Sequence, residues 1–343
     1  MMTKTICKYF SIGLLLVNFS TTAMAQSAIR KSSQEMLSVN NGKTNIWKLD
    51  INVASDGSGD YTTLTEAFEH IRALMDYKVT IHIKQGIYKE KVLLPAWLTN
   101  VELIGENANN TIITFADNAK TNNMGTFRTY TFRIDGNDIT LRNLTIENNA
   151  PETAQAVALH TQGDRLRFIN CRFLGNTDTV YGGGEGGRLY FKDCYIEGTT
   201  DFIFGSSIAL FEDCEIYSKK NTYITAASTP KTYKTGFVFK NCRLTAAPGI
   251  NKVFLGRPWR PYAAVAFINC HMGSHIRPEG WDNWRAPSNE KTARFAEYGN
   301  TGEGSSLQKR VKWSKRLTKK EAKNYTNIHN IFNQGTFWNP TTE

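Results

Sequence analysis

The chain has 343 residues, 21% of them charged, and a formal net charge of +10. A basic balance of this size suits an acidic partner, such as an anionic polysaccharide, a membrane surface or nucleic acid. No helix-turn-helix, zinc-finger or RNA-binding signature is present, which argues against nucleic acid.

The first 25 residues have the layout of a secretory signal peptide, with a lysine-containing start, a short apolar stretch and the small-x-small sequence Ala23-Met24-Ala25. The apolar stretch is too short to span a bilayer, and no other segment is long enough. We therefore predict cleavage after Ala25 and export to the periplasm or the extracellular space. A flexible lead-in is expected over 26–45 and a single domain over 46–343.

Helices are predicted only near the two ends of that domain. The segment DGSGDYTTLTEAFEHI (56–71) reads as a glycine-rich turn followed by an amphipathic helix that caps the open end of a solenoid. The charged run KRLTKKEAKNYT (315–326) predicts a solvated C-terminal helix.

One short pattern recurs along the middle of the chain: Phe, any residue, Asn or Asp, Cys, any residue, then an apolar residue. The copies are FINCRF (168–173), FKDCYI (191–196), FEDCEI (211–216), FKNCRL (239–244) and FINCHM (267–272). Self-similarity at such a short and nearly regular spacing indicates a solenoid. Each copy alternates apolar and polar residues as a short strand does, so we predict an all-β parallel β-helix.

The repeat also governs the cysteines. Five remain after removal of the signal peptide, so they cannot all pair within one chain. A cysteine can also serve as a small buried apolar residue. Neighbouring coils lie about 4.8 Å apart, which is close enough for a disulfide between Cys194 and Cys214. For these two cysteines a disulfide and a pair of free buried thiols are therefore equal alternatives.

Two aspartates occupy the same phase of the repeat. Aligning 168–182 with 191–205 places Asp178 and Asp201 at the same distance after their cysteines, and hence on adjacent coils. Gln155 precedes Asp178 by the same interval that separates Asp178 from Asp201, so it is expected on the same line. Two carboxylates this close have pKa values that split, as an acid–base or acid–nucleophile pair requires. A ladder of turn aspartates would give the same spacing.

Further along, LGRPW (255–259) combines a guanidinium, a stiff turn and an indole. Arg257 can hold a carboxylate through two parallel hydrogen bonds. Trp259 offers a flat face to a sugar ring.

Nine segments occur in an order that resembles the pectin methylesterase (pectinesterase) family of carbohydrate esterases, from about Ile51 to about Trp313. They are VASDGSGDYTTLTEA, GIYKEKV, IENNAP, QAVAL, DTVY, DFIFG, LGRPW, GWDNW and AEYGNTGEG. The resemblance implies a right-handed parallel β-helix and hydrolysis of galacturonate methyl esters in pectin, with neither cofactor nor metal. We expect a monomer that acts on an anionic polysaccharide.

The same resemblance implies a role for each matching residue. Asp201 corresponds to the nucleophile, and Asp178 to the general acid/base. Arg257 corresponds to the arginine that orients the nucleophile and lowers its pKa, and Gln155 to an oxyanion donor.

The resemblance also implies which side chains contact the substrate. Trp259 and Trp284 correspond to an aromatic platform, while Phe202 and Tyr181 are expected to line the cleft. Thr177 departs from the family, which usually has glutamine there as a second oxyanion donor.

Because of Thr177, a carbohydrate-binding β-helix with weak or altered ester activity remains an alternative. A polyuronate lyase or a polygalacturonase is a further one, although no carboxylate cluster for calcium is evident. His160 has no partner cluster and reads as structural.

Overall fold

The computed structural model describes residues 35–40 and 43–342, and divides the chain into two compact units at Asp50 and Ile51. In the first unit, β1 (Glu35–Asn40) pairs antiparallel with β2 (Lys43–Lys48). This hairpin overlaps the segment 26–45 that the sequence predicted to be a flexible lead-in. The predicted signal peptide lies outside the described residues.

The second unit is a stack of coils, and each full coil contributes one strand to each of three sheets. The long sheet has eleven strands among the described residues, numbered in chain order. They are β3 (Asp50–Val53), β4 (Val79–Ile83), β7 (Val101–Gly105), β10 (Thr140–Arg142), β13 (Leu166–Ile169), β16 (Arg188–Lys192), β19 (Ile208–Glu212), β22 (Phe237–Lys240), β25 (Ala264–Ile268), β27 (Arg294–Tyr298) and β28 (Lys315–Arg316).

The other two sheets have eight and seven described strands and are called here the second sheet and the cleft sheet. The second sheet contains β5 (Gly86–Lys89), β8 (Thr111–Phe115), β11 (Thr145–Asn148), β14 (Arg172–Leu174), β17 (Tyr195–Gly198), β20 (Glu215–Ser218), β23 (Arg243–Ala246) and β26 (His271–Met272). The cleft sheet contains β6 (Val92–Leu94), β9 (Phe132–Ile134), β12 (Leu159–Thr161), β15 (Val180–Gly182), β18 (Ile203–Gly205), β21 (Tyr223–Ala227) and β24 (Phe254–Pro258). Strands of successive coils pair in parallel, so the predicted parallel β-helix is confirmed.

The Asn or Asp that precedes each repeat cysteine, or that precedes Leu144 in the equivalent place, makes the bend from the long sheet to the second sheet. These residues all adopt a left-handed backbone, with φ between 50° and 56°. Asparagine and aspartate tolerate this conformation better than other residues with a side chain, which explains why the repeat uses them. They are Asn143, Asn170, Asp193, Asp213, Asn241 and Asn269.

The phenylalanine of each repeat forms a ladder inside the coil. Phe191 and Phe211 stack with ring centroids 4.6 Å apart, and Phe211 and Phe239 at 4.5 Å. Phe168 and Phe267 extend the stack at either end. All five rings are buried, so this column is the centre of the apolar core.

The five cysteines lie on a parallel ladder beside the phenylalanines, and each is a free, buried thiol. The possible disulfide between Cys194 and Cys214 is therefore wrong. A disulfide needs Cβ atoms about 3.8 Å apart, whereas strands in register hold equivalent atoms about 4.8 Å apart. Each thiol instead donates to a carbonyl of the preceding coil, as Cys194 does to Phe168 at 3.3 Å.

Both predicted helical segments are present. Helix α1 (Leu64–Glu69) follows the N-cap Thr63 and buries Leu64, Ala67 and Phe68. The ring of Phe68 reaches Phe132 of the cleft sheet at 6.5 Å. The helix therefore closes one end of the coil, as the sequence predicted.

The C-terminal tail forms α2 (Lys319–Thr326) and α3 (Ile328–Phe332). Four of the eight residues of α2 are exposed and only Ala322 is buried, as expected of a solvated helix, but Ile331 and Phe332 of α3 are fully buried against the outer face of the long sheet. The tail thus covers an apolar sheet face, which the charged sequence of α2 did not indicate.

Short 3₁₀ helices complete the architecture. They are Thr121–Asn123, Thr126–Arg128, Pro287–Lys291 and Glu303–Ser305. None of the described helices combines the length and the apolar character needed to cross a membrane.

Replacing Phe211 by alanine should lower the free energy of unfolding by about 3–5 kcal/mol, because it leaves a cavity in the middle of the phenylalanine ladder. Urea denaturation of the purified protein measures this loss. Phe337→Ala is the matched control: its side chain is 49% exposed, and its loss should cost no more than about 0.5 kcal/mol. Equal effects of the two substitutions would contradict the assigned core.

Candidate active site

The two aspartates of the repeat meet on the outer surface of the β-helix, where the second sheet bends into the cleft sheet. Pairing of Val180 with Ile203 brings Asp178 into register with Asp201 on the next coil. Both aspartates have a left-handed backbone, with φ of 68° and 52°. The stacking inferred from the repeat is present, and both residues are also turn aspartates.

Gln155 does not fall on this line. Leu159 pairs with Val180, so the preceding coil is shorter here than the coil that joins the two aspartates, and Val157 rather than Gln155 aligns with Asp178. The expected register of Gln155 is therefore wrong. Its exposed side chain still lines the same cavity, and its carbonyl anchors the segment by accepting a hydrogen bond from the Ala119 N–H at 2.8 Å.

Arg257 holds Asp201 through two parallel hydrogen bonds. Its Nε donates to Oδ1 at 3.0 Å, and its Nη2 donates to Oδ2 at 2.6 Å. The arginine comes from β24, two strands further along the cleft sheet than β18. This geometry fixes the orientation of the carboxylate and favours its ionised form.

Two aromatic rings clamp the guanidinium. Its central carbon lies 3.7 Å from the ring centroid of Trp284 and 4.0 Å from that of Tyr223. Asp282 positions the first of these rings by accepting the Trp284 N–H at 2.7 Å. The clamp restricts the arginine more than hydrogen bonds alone would.

The two carboxyl groups differ in electrostatic environment. Burial raises the pKa of Asp178 well above its ordinary value, and the negative charge of Asp201 raises it further, although Arg257 opposes both effects. Asp178 accepts no hydrogen bond through its carboxyl group among the described residues, so its ionised form is favoured there by the charge of Arg257 alone. It is therefore the carboxyl group that keeps its proton more readily.

Burial also raises the pKa of Asp201, against the hydrogen bonds and the charge of Arg257. The residue is only 7% exposed, and the nearby Asp282 adds to the rise. Arg257 lowers the pKa of Asp201, as expected, but burial raises it by more, so the net shift is upward. The pair still splits, because the rise at Asp178 lacks a bound arginine to limit it.

These groups face a cavity of about 330 Å³. Seven of the nine residues predicted for the site line it. Its walls are formed by Thr126, Phe127, Gln155, Thr177, Asp178, Thr200, Asp201, Phe204, Ala226, Arg257, Trp259 and Trp284.

Phe202 was predicted to line the cleft, but its side chain is fully buried inside the coil. Phe204 takes that place on the outer face. The repeat contained the signal, since Tyr181 and Phe204 share one phase and pair across β15 and β18. Tyr181 contacts Phe204 and Phe127 at 4.9 and 5.0 Å and so supports the wall without lining the cavity.

His160 lies on the same outer row, one coil before Tyr181. It is 1% exposed and packs against the rings of Phe127, Tyr130 and Tyr181. Burial lowers the pKa of His160 to about 3, so the ring is neutral. This agrees with its interpretation as a structural residue.

The fold and the site define a parallel β-helix protein with a carboxylate pair in an aromatic cleft, an arrangement suited to nucleophilic and acid–base chemistry. The Pectinesterase family model matches residues 50–335. The chain therefore belongs to the pectinesterase family.

Individual relatives agree with this assignment. Pectinesterase 31 of Arabidopsis thaliana is 37% identical over 293 residues, which cover 82% of this chain and 91% of the relative. The chain spans about half the length of further Arabidopsis thaliana relatives named probable pectinesterase/pectinesterase inhibitors.

Solved structures share the fold. Pectin methylesterase from carrot superposes with a TM-score of 0.79 at 31% identity, covering 84% of this chain and 94% of the other. A pectin methylesterase in complex with a hexasaccharide superposes at 0.73 with 29% identity, covering 85% and 98%.

Replacing Arg257 by lysine should raise the pKa of Asp201. Lysine cannot donate the two parallel hydrogen bonds or stack between Tyr223 and Trp284 as guanidinium does. A pH titration of the Asp201 carboxyl carbon by NMR measures the change. Arg260→Lys is the control, because Arg260 lies against Trp259; an equal response to both substitutions would contradict the assigned pair.

The raised pKa of Asp178 has a consequence for stability. A carboxyl group whose pKa is higher in the folded than in the unfolded state contributes stability below the unfolded pKa. That contribution is lost as pH rises through the folded pKa. Asparagine at 178 does not ionise, so the stability of Asp178→Asn relative to wild type should increase as pH rises.

Urea denaturation from about pH 4 to about pH 9 tests this linkage. Asp76→Asn, at an exposed position, is the control for the loss of an aspartate elsewhere. If the free energy of unfolding of Asp178→Asn minus that of the wild type stays constant or falls as pH rises, the assignment is refuted.

Proposed function

We propose that this protein hydrolyses the methyl esters of galacturonate units in pectin and releases methanol and acidic pectate. One observation carries the proposal: Asp201 is held by two hydrogen bonds from Arg257 beside Asp178, whose pKa is raised. A carboxylate held ionised beside a protonated carboxyl group is the pair that nucleophilic ester cleavage requires.

In the first half of the proposed reaction, an oxygen of Asp201 attacks the ester carbonyl carbon. The carbonyl oxygen takes up negative charge, and Gln155 donates a hydrogen bond to it. The bond to the methoxy oxygen then breaks, and Asp178 gives its proton to the departing oxygen. Methanol leaves, and an acid anhydride joins the galacturonate unit to Asp201.

In the second half, Asp178 is ionised and takes a proton from a water molecule. The hydroxide attacks the galacturonate carbonyl carbon, and the anhydride bond breaks. Asp201 regains its carboxylate and Asp178 its proton, so the site returns to its starting state. The arginine remains bound to Asp201 throughout, which keeps the carboxylate aligned for the next attack.

The cleft suits a sugar polymer. Trp259 and Trp284 line it, and the net positive charge of the protein attracts an anionic chain. A structural relative was solved with a hexasaccharide, which supports a polysaccharide substrate. We propose that the protein acts as a monomer on methylated pectin after export to the periplasm or the extracellular space.

Thr177 favours a second candidate, a carbohydrate-binding β-helix with weak or altered ester activity. Its hydroxyl oxygen lies 3.2 Å from that of Thr199, so part of its hydrogen-bonding capacity is used within the protein. A threonine also reaches less far than the glutamine expected from the family resemblance. Loss of one oxyanion donor typically costs about 100- to 1000-fold in rate.

Methanol release from highly methylated pectin decides between the two candidates. We expect the wild type to release methanol and Asp201→Ala to lose this activity, because no other carboxylate among the described residues is aligned by Arg257. Thr177→Gln should raise kcat if an oxyanion donor is limiting. Asp76→Asn, far from the cleft in sequence and exposed, controls for a general effect of losing an aspartate.

Absence of methanol with the wild type, together with retained binding to pectin, would favour the binding protein. Methanol release that survives in Asp201→Ala would instead refute the nucleophile while leaving the substrate in place.

A further inference from the structure

Two threonines precede the two carboxylates on adjacent coils. Thr177 comes directly before Asp178, and Thr200 directly before Asp201. The pairing of Val180 with Ile203 puts the threonines in register. Both are half-buried and line the cavity, so each brings a hydroxyl group close to the reacting groups.

The two hydroxyls differ in their hydrogen bonds. That of Thr177 is shared with the buried Thr199. That of Thr200 has no hydrogen-bond partner within residues 35–40 and 43–342. A hydroxyl group can donate one hydrogen bond and accept two, so Thr200 keeps its whole capacity for a bound molecule.

The backbone of Thr200 is held from both sides. Its carbonyl accepts a hydrogen bond from the Asp178 N–H at 3.1 Å, and the next N–H, that of Asp201, donates to the Tyr223 carbonyl at 2.9 Å. The hydroxyl therefore extends from a fixed point in the wall of the cavity that both carboxyl groups line. A donor fixed before reaction stabilises developing charge without a cost of reorganisation.

We propose that the Thr200 hydroxyl donates a hydrogen bond to the ester carbonyl oxygen and strengthens it as that oxygen becomes negative. The inference rests on the proposed function and deepens it by naming a catalytic residue. The ester carbonyl carbon gains a bond to Asp201 and later loses its bond to methoxide, which takes its proton from Asp178. Thr200 keeps its own proton throughout.

Kinetics of methanol release from methylated pectin test this role. Thr200→Val removes the hydroxyl at nearly constant volume and should lower kcat about 100-fold, with KM little changed. Thr200→Ser keeps a hydroxyl and should recover most of the rate. Thr177→Val should lower kcat less than Thr200→Val, because the Thr177 hydroxyl shares a hydrogen bond with Thr199 and has less capacity left for substrate.

Thr80→Val, on β4 of the long sheet, controls for loss of a threonine hydroxyl elsewhere, and thermal unfolding of every variant controls for folding. Wild-type kcat in Thr200→Val would overturn the proposal. Equal losses in the valine and serine variants, accompanied by lower melting temperatures, would assign Thr200 a structural role instead. If the wild type releases no methanol, the proposed function fails and this inference fails with it.

Discussion

The left-handed bend is the constraint on which the rest of this molecule depends. A coil can close only if the chain turns sharply at the same phase each time, and asparagine or aspartate makes that turn at low cost. At the bend between the long sheet and the second sheet, residues such as Asn170 and Asp193 meet this requirement and form a row that serves the fold alone. At the second bend the same conformation, at Asp178 and Asp201, points two carboxyl groups into a cleft. Turn chemistry and reaction chemistry therefore share the same residues.

Stacking in register then sets the electrostatics. Coils about 4.8 Å apart bring the two carboxyl groups too close for both to ionise freely, and burial raises the pKa of each. Arg257 donates hydrogen bonds to Asp201 and not to Asp178. The two equivalent aspartates of the repeat therefore differ because of a residue two strands away in the cleft sheet. The rings of Tyr223 and Trp284 hold that arginine in place. The difference between the two carboxyl groups thus comes from their neighbours.

The periodic part of this structure could be predicted from sequence, because the repeat encodes it directly. The period and the alternation predicted the parallel β-helix, and the common phase predicted the stacking of Asp178 on Asp201. The predictions failed in two situations. One is a change in the number of residues per coil, and the other is a choice between two nearby side chains of which one points into the core and the other into the cleft. A shorter coil displaced Gln155 from its predicted line, and Phe204 rather than Phe202 faces the cleft. Tertiary neighbours such as Tyr223 have no local signal at all.

A stacked architecture also lets one coil supply what its neighbour lacks. Equivalent positions on successive coils differ by a single strand spacing, so a donor at position 200 reaches nearly the same space as one at position 177. The side chain of Thr177 is short and hydrogen-bonded to Thr199. Thr200 lies one coil away, and its hydroxyl has no hydrogen-bond partner among the described residues, so it can donate to the developing oxyanion in place of Thr177. The effect of a substitution in a stacked repeat therefore depends on the residues at the equivalent positions of neighbouring coils as well as on the substituted residue.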